Sequence, residues 1–337
     1  MLSFKKTIIP CIKLTLTAGI FYYLISSGKL NLSKLGLLID APATLSLLLG
    51  IFLLIIIPLT SLRWLIILKI SDLNISYLRS LTLTWIGNFF NISLPGTVSG
   101  DIIKGFYVYR LHRNKGKTMV FMSLLIDRIT GLMGLVVMGT VAILFNWDRL
   151  YSQTQIQPLV HFILVLFVIS VIFFGIILLP YRGDRDRLHV FISKIPRSGF
   201  LLVFYLTMKK LGAKPLKLLS TVAISFFIHC CIVFLFLQIT KLIGAEPVDP
   251  FIQMFIMPFG FIATAIPIAP GGIGVGHAAF ETLYSMMGIK GGADIFNLYI
   301  VIQLTNYMFG GIIYFFYKNE YNLSDVDKQE LTKNQVI

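Results

Sequence analysis

The sequence predicts an all-α polytopic integral membrane protein with about six full transmembrane helices and two re-entrant broken helices, arranged as inverted repeats. Of the 337 residues, 56% are hydrophobic and 13% are charged, and the mean hydropathy is +0.84. A soluble domain needs roughly twice that charged fraction to cover its surface. Apolar runs of about 20 residues, the length that crosses a bilayer core, recur along the chain. These observations exclude the soluble globular class.

Six apolar runs are long enough to cross the bilayer. They cover residues 7–27, 42–66, 119–145, 159–180, 217–240 and 294–317. The first run follows Lys5 and Lys6 without a clear cleavage site behind it, so we interpret it as a retained helix, with a secretory signal as the alternative. We expect a single transmembrane domain over residues 1–320 and a short polar cytoplasmic tail over residues 321–337.

Two shorter apolar runs end in proline and glycine. Residues 81–94 stop at Pro95 and a helix restarts near Asp101, while residues 251–269 stop at Pro270. A broken helix inside lipid is tolerated only where protein or a water-filled cavity surrounds it, because its backbone groups need partners. Breaks of this kind indicate a transport site. The alternative is that both are helix-stopping loops at the membrane surface.

The basic residues indicate how the spans are oriented. They are concentrated in some loops and sparse in others: dense in 63–79, 104–117 and 182–217, sparse in 28–41, 146–158 and 241–250. If both short runs return to the side they came from, every basic loop and both termini are cytoplasmic. This pattern accounts for the net charge of +14, so we predict no nucleic-acid partner. We expect a multi-pass protein of the cell (plasma) membrane.

The two halves of the chain, about 1–150 and 151–320, repeat one order of elements: two spans, a re-entrant segment and a further span. Their orientations are opposite, because the first re-entrant segment enters from the cytoplasm and the second from outside. The motif LPGTVSGD around Pro95 corresponds to APGGIGVGH around Pro270. Inverted repeats of this kind are typical of transporters, whose sites lie near the midplane where the repeats meet.

The restart of the first broken helix carries a candidate ion pair. Asp101 lies in its first turn, and Lys104 follows three residues later on the same face. Such a pair would close the cavity when it is empty, and the lysine would be released to a lipid phosphate. The alternatives are an N-terminal cap for Asp101 and an ordinary snorkelling cation for Lys104.

Asp127 and Arg128 lie inside the span 119–145, and ionisable residues at such depth are candidates for a functional site. Adjacent helical residues point about 100° apart, so the two side chains cannot face one partner. We expect Arg128 to face the cavity and Asp127 to pair with a cation such as Lys104 or Arg110. The alternative is that the span starts later and both residues lie at the cytoplasmic interface.

The second broken helix carries a glycine-rich turn. Gly271, Gly272 and Gly274 allow positive φ angles, and the N–H groups of such a turn, with the helix N-terminus that follows, form an anion-binding nest. His277 and Glu281 are spaced i,i+4 and share a helix face. A protonatable pair there would couple lipid movement to protons; a structural hydrogen bond is the alternative.

The predicted substrate-binding residues come from both broken segments and from the span between them. They are Asn88, Asn91, Pro95, Gly100, Asp101, Lys104, Asp127, Arg128, Pro270, Gly271, Gly272, Gly274, His277 and Glu281. The three cysteines lie within apolar runs, without metal-ligand spacing or a disulfide framework. We predict no metal, no cofactor and no catalytic residue, and the sequence leaves the oligomeric state open.

Three ordered motifs carry a family resemblance: NFFNISLPGTVSGDIIK at 88–104, IDRITGLMGL at 126–135 and PIAPGGIGVGHAAF at 267–280. The chain resembles the lysylphosphatidylglycerol synthase transmembrane (flippase-like) family over nearly its whole length. The resemblance implies a module that moves a phosphate-bearing lipid, aminoacylated or glycan-linked, between leaflets. The soluble aminoacyl-transferase domain of two-part members does not follow, so a separate lipid-modifying synthase is an expected partner. The family often has arginine where this chain has Lys104, and glutamate where it has His277.

Two other classes of function stay open from the sequence. Asp184 and Asp186 form an Asp-x-Asp pattern that holds a metal and a sugar diphosphate in glycosyltransferases, but arginines flank it and we interpret it as a charged loop. An intramembrane transferase acting on a lipid-linked sugar or aminoacyl phospholipid is the first alternative. A transporter of a small soluble anion or ion is the second. A flippase-like transporter, not an enzyme, is the principal hypothesis.

Overall fold

The computed structural model describes residues 34–93, 99–113, 116–195, 198–265 and 272–320, together with Ser26. Within these ranges the chain forms helices and no strand, which confirms the all-α prediction. The helices in chain order are α1 (Leu35–Asp40), α2 (Pro42–Ile70), α3 (Tyr77–Ser93), α4 (Ser99–Leu111), α5 (Lys117–Phe145), α6 (Trp147–Tyr151), α7 (Gln157–Leu178), α8 (Arg187–Ser193), α9 (Gly199–Gly212), α10 (Pro215–Leu242), α11 (Pro250–Thr264), α12 (Val275–Met286) and α13 (Gly292–Glu320).

Five of these helices are long and apolar enough to cross a membrane: α2, α5, α7, α10 and α13. They correspond to five of the six predicted spans. The remaining predicted span, 7–27, and the tail, 321–337, lie outside the described residues. The chain is therefore a multi-pass membrane protein.

The two broken segments each form a pair of short helices. The first pair is α3 and α4, of 17 and 13 residues, and the second is α11 and α12, of 15 and 12 residues. At about 1.5 Å per residue, none of the four reaches the roughly 30 Å of a bilayer core. Asp249 starts α11 by accepting hydrogen bonds from Phe251 N and Ile252 N at 2.8 and 3.2 Å. Helix α11 ends at Thr264, five residues before the predicted end of its apolar run, 251–269.

The basic loops lie at one end of the helix bundle. Lys210 in α9 pairs with Asp72, just after α2, at 3.0 Å. Thr207 in α9 donates to the sulfur of Met119, at the start of α5, at 3.6 Å. Helix α9 also packs on α7 and leads directly into α10. The end of α2 and the start of α5 therefore lie at the same end, which we name the basic end.

At the opposite end of the bundle, the ends of other helices contact one another. The rings of Phe145, at the end of α5, and Phe251, at the start of α11, stack with centroids 5.0 Å apart. Lys34, before α1, pairs with Asp294, at the start of α13, at 2.6 Å. The α3–α4 pair thus begins and finishes at the basic end, and the α11–α12 pair begins and finishes at the opposite end. This is the arrangement predicted for two re-entrant segments that enter from opposite sides.

The two halves also repeat their packing. Helix α3 packs on α4 and α2, and α11 packs in the same way on α12 and α10. Helix α4 packs on α5, and α12 packs on α13. Each hairpin also contacts the last helix of the other half: α3 lies against α13, and α11 lies against α5. Each hairpin therefore packs against both α5 and α13.

Glycines set the close approaches inside each hairpin. A Cβ on Gly100 would lie 1.9 Å from the carbonyl oxygen of Gly87, so α3 and α4 touch backbone to backbone. In the second hairpin, a Cβ on Gly260 in α11 would lie 2.2 Å from the ring of Phe280 in α12, and one on Gly276 in α12 would lie 2.8 Å from Thr264 Cγ2 in α11. The second hairpin therefore has a glycine packed on an aromatic ring, whereas the first brings polar groups together.

Candidate functional site

The first hairpin holds a three-residue ion cluster. Lys104 Nζ lies 2.8 Å from Asp101 Oδ1, and Arg128 Nε donates to Asp101 Oδ2 at 2.7 Å. The side chains of Lys104 and Asp101 are 7% and 14% exposed, whereas that of Arg128 is 40% exposed. Two cations therefore share one carboxylate, with the lysine sealed inside and the arginine at the edge. We name this set the charge triad.

The local sequence places the triad at the start of α4. The helix begins at Ser99, so Asp101 falls in its first turn and Lys104 one turn further on the same face. Asn91 caps this end of α4, since its Oδ1 accepts from Gly100 N at 2.8 Å, and both carboxylate oxygens of Asp101 contact cations. The Asp101 carboxylate is therefore left for the two cations.

Lys104 occupies a closed niche. It is 6% exposed, and its ammonium lies 4.8 Å from the ring centroid of the fully buried Trp64. A Cβ on Gly87 would lie 2.8 Å from Lys104 Cγ, so the glycine makes room for the lysine stem. An ammonium against an aromatic face gains favourable electrostatics that grow when water is excluded. This corrects the alternative of an ordinary snorkelling cation, which would keep its head group in water.

Asp127 pairs with Arg63, which was not among its predicted partners. Arg63 donates from Nε to Asp127 Oδ1 at 2.8 Å and from Nη2 to Oδ2 at 3.2 Å. Its Nη1 donates to Ser225 Oγ at 2.9 Å. The predicted pairing of Asp127 with Lys104 or Arg110 is therefore wrong. The network joins α2, α5 and α10, and Gly134 allows α10 to approach, since a Cβ there would lie 2.4 Å from Ser225 Cβ.

The sequence places Arg63 near the end of an apolar run, and the prediction groups it with the basic loop that follows the span 42–66. The structure shows that α2 continues to Ile70, so Arg63 lies two helical turns inside the helix. It is 9% exposed. A charged residue that far from a helix end meets the same criterion that singled out Asp127. Ser225 and Trp64 carried no distinguishing signal, because their roles depend on packing between distant helices.

Asp127 and Arg128 face different partners, as their adjacency on a helix requires. Asp127 pairs with Arg63 on α2, and Arg128 pairs with Asp101 on α4. Helix α5 has 29 residues and starts at Lys117, two residues before the predicted span 119–145. If its length of about 43 Å is centred on a hydrocarbon layer of about 30 Å, Asp127 lies about 8 Å inside that layer.

The second hairpin uses its polar groups internally. Gly272 and Gly274 have positive φ angles of 72° and 89°. Gly274 N donates to His277 Nδ1 at 3.2 Å, and His277 Nε2 lies 3.3 Å from Asn297 Oδ1 on α13. Glu281 Oε2 accepts from the N–H of Ala293 at 2.8 Å. His277 and Glu281 therefore share a face, as predicted, but each is bonded to the fold and they do not form a pair.

The other predicted site residues are placed as follows. Asn88 is half-buried on α3, three residues before Asn91, and Gly100 lies at the contact with Gly87. Pro95, Pro270 and Gly271 lie outside the described residues. The structure thus brings Asn91, Gly100, Asp101, Lys104 and Arg128 together around one point, with Asp127 on the far side of α5.

The Asp-x-Asp pattern in the basic end has a structural role at Asp186. Its Oδ1 caps α8 by accepting from Leu188 N and His189 N at 3.1 and 3.3 Å, and its Oδ2 accepts from Tyr205 Oη at 2.7 Å. Burial alone would raise the pKa of the Asp186 carboxyl, but the hydrogen bonds from Tyr205 and from the backbone outweigh it and lower the pKa. The carboxylate is engaged within the fold.

Comparison with known proteins decides the family. The family model described as lysylphosphatidylglycerol synthase TM region matches residues 11–313. The chain belongs to this family. It is also similar to a UPF0104 membrane protein of Pyrococcus horikoshii, with 25% identity over 251 residues that cover 68% of this chain and 72% of the relative. No solved structure matches it. Membership of the lysylphosphatidylglycerol synthase TM family indicates a role related to membrane lipids.

Proposed function

We propose that this member of the family is a flippase-like transporter that moves a phosphate-bearing lipid between the leaflets of the cell membrane. The charge triad is the observation that carries the proposal. Two cations meet one carboxylate at the restart of a broken helix, inside a bundle that spans the membrane. Charged residues at such depth are rare and mark substrate pathways, and broken helices supply the sites of transporters.

The transport step uses an exchange of anions. A lipid enters sideways with its tails in the bilayer, and its phosphate replaces the Asp101 carboxylate between Lys104 and Arg128. Breaking the Asp101–Arg128 contact removes an ion pair that joins α4 to α5. Movement of the two halves then exposes the head group to the other leaflet. The transport step neither forms nor breaks a covalent bond, and a separate synthase would supply the lipid.

The test is lipid translocation in proteoliposomes. Fluorescent phospholipid in the inner leaflet becomes accessible to a membrane-impermeant reductant only after it has been moved. We expect Lys104→Met and Arg128→Gln to lower the rate by about tenfold or more, because each removes a charge-assisted contact to the phosphate. Lys210→Met and Arg185→Gln are matched controls at exposed positions of the basic end.

Folded, inserted Lys104→Met and Arg128→Gln variants that move lipid at the control rate would contradict the proposal. Mass spectrometry of the same lipids separates transport from the transferase alternative, because a transferase would convert the labelled lipid into a product of different mass. Uptake of a soluble anion without lipid movement would favour the small-anion transporter.

A further inference from the structure

The connection between α7 and α10 carries exposed apolar and exposed basic side chains side by side. We infer that its first part, α8 with the first turn of α9, lies in the head-group layer of the bilayer at the basic end and binds anionic phospholipid there. We name residues 182–201, which make this contact, the interfacial surface. They lie outside the charge triad, so the inference goes beyond the proposed function and does not depend on it.

Large apolar side chains of the interfacial surface are exposed. Leu188 and Phe191 are spaced i,i+3 and share one face of α8, and Phe191 is 65% exposed. Ile195 follows the helix, and Phe200 and Leu201 lie in the first turn of α9; all three are exposed as well. Apolar side chains concentrated in this way mark a contact with a protein or a membrane. Beside basic residues they are typical of a helix that lies in a membrane interface.

The same part of the chain is strongly basic. Residues 182–217 contain nine basic and two acidic residues: Arg182, Arg185, Arg187, Lys194, Arg197, Lys209, Lys210, Lys214 and Lys217 against Asp184 and Asp186. Asp186 is bonded within the fold, whereas the side chains of Arg185, Arg187 and Lys194 are exposed. Basic clusters beside a membrane span attract anionic lipids. The charge therefore favours an anionic partner.

Two ring contacts hold the interfacial surface against the ends of membrane-crossing helices. The ring centroid of Phe200 lies 6.1 Å from that of Phe121, near the start of α5. The ring centroid of His189 in α8 lies 5.7 Å from that of Tyr181, just after α7. Phe121 is exposed on the outside of a helix that crosses the membrane, so its surroundings there are lipid. The anionic partner within reach of the interfacial surface is therefore a phospholipid.

Hydrogen bonds fix the direction in which the interfacial surface faces. Tyr205 Oη in α9 donates to Asp186 Oδ2, just before α8, at 2.7 Å. Lys209 Nζ donates to the carbonyl oxygens of Ile176 and Leu179, at the end of α7, at 2.7 and 2.9 Å. A cation placed there completes the last carbonyls of the helix. The connection is thus tied to α7, and its exposed face is set by the fold.

A fluorescent label on the interfacial surface tests the inference in the full-length protein. In a background without Cys11, Cys230 and Cys231, Phe191→Cys is labelled with bimane and placed in phosphatidylcholine nanodiscs. A minor fraction of the lipid is replaced by phosphatidylglycerol or phosphatidylcholine with brominated chains, which quench only a label that they contact. We expect both to quench, with half-quenching at about fivefold less phosphatidylglycerol, because the basic residues enrich the anionic lipid.

Ile169→Cys, at an exposed position in the middle of α7, is the control label. It faces acyl chains far from the basic residues, so the two brominated lipids should quench it equally. Absence of quenching at residue 191 by either lipid would place the interfacial surface in water or under a protein and overturn the inference. Equal quenching by the two lipids at residue 191 would overturn the assignment to anionic lipid.

Two triple variants of the labelled protein test the charges. The first replaces cations of the interfacial surface and the second replaces exposed cations of the opposite end: Arg185→Gln, Arg187→Gln and Lys194→Gln, and Arg149→Gln, Lys241→Gln and Lys290→Gln. We expect only the first to lower the preference for phosphatidylglycerol, to about twofold or less.

High salt should lower the preference in the same way without any change of charge in the chain, because it screens exposed charges. This measurement keeps the inference testable if the first triple variant does not fold. A preference for phosphatidylglycerol that persists at high salt would overturn the inference.

Discussion

At the scale of single residues, charge is kept inside the bundle by two different means. Asp127 is balanced one to one by Arg63, with three hydrogen bonds from the guanidinium fixing α2, α5 and α10 together. Lys104 and Arg128 instead both contact Asp101, with the Arg128 side chain 40% exposed. The first arrangement is suited to holding the fold, and the second to exchanging a partner.

Removing one partner of the Arg63–Asp127 pair should be strongly destabilising. We expect Asp127→Asn to lower the free energy of unfolding by about 3–5 kcal/mol, because Arg63 is left buried without its counter-charge. The double variant Arg63→Met, Asp127→Leu should recover most of that loss, since it buries no charge. Titration of the micellar protein with sodium dodecyl sulfate, followed by circular dichroism, measures both.

The matched control for that experiment is Asp72→Asn. Asp72 pairs with Lys210 at the surface, where the side chains are 55% and 48% exposed, and exposed pairs contribute about 0–1 kcal/mol. An Asp127→Asn variant as stable as Asp72→Asn would show that the buried network does not hold the three helices together.

At the scale of elements, the hairpins depend on glycines that permit backbone contact. Gly100 and Gly87 bring α3 against α4 and clear the niche of Lys104. Gly260 lets α11 pack on the Phe280 ring of α12, and Gly276 lets α12 pack on Thr264 of α11 and on the Phe296 ring of α13. The two hairpins are alike in topology and differ in chemistry, which concentrates the ionic site in the first half.

Gly100→Ala should disrupt the first hairpin. Its new methyl group would lie 1.9 Å from the Gly87 carbonyl oxygen, so α3 and α4 have to separate. We expect a loss of stability of about 1–3 kcal/mol, as for overpacking in a close-packed interior, and faster amide exchange at the start of α4 by mass spectrometry.

Gly175→Ala in α7 is the control for the glycine experiment, because nothing lies within 4 Å of its added methyl group. Alanine favours a helix over glycine by up to about 1 kcal/mol, so this variant should be neutral or stabilising. Unchanged amide exchange in α4 of Gly100→Ala would mean that the glycine contact does not hold the hairpin.

At the scale of the whole molecule, the bundle has a basic end and an opposite end, and each hairpin returns to the end from which it starts. The positive-inside rule assigns the basic end to the cytoplasm. This assignment, with both termini cytoplasmic, is a prediction that the arrangement of helices makes specific, because it fixes which loops lie on the same side.

Single cysteines at Ser76 and Glu246 test the orientation. Both positions are exposed, one after α2 at the basic end and the other before α11 at the opposite end. In a background without Cys11, Cys230 and Cys231, an impermeant maleimide applied to intact cells should label Glu246→Cys only. Inside-out vesicles should give the reverse. Labelling of both positions from one side would break the inverted arrangement.

Sequence and structure contributed different parts of the site. Hydropathy was enough to place five spans and both broken helices within a few residues. Lipid requires continuous apolar runs, so an interruption of such a run is visible in the sequence. The Asp101–Lys104 pair could be predicted since three residues on one helix are neighbours by geometry. The partner of Asp127 could not, because Arg63 is 64 positions away and its depth was hidden by an underestimated helix end.

The sequence by itself determined the class of protein, the positions of the helix breaks, the basic loops and the family motifs, since each follows from local composition and the length of a bilayer. The tertiary structure alone decided which charges meet. It showed that Arg63 neutralises Asp127, that Asn91 caps α4, and that Arg128 and Lys104 both contact the Asp101 carboxylate. The physical reason is that a buried charge pairs with whichever group the packing brings within hydrogen-bond distance. Packing between helices that are far apart in the chain cannot be predicted from local sequence.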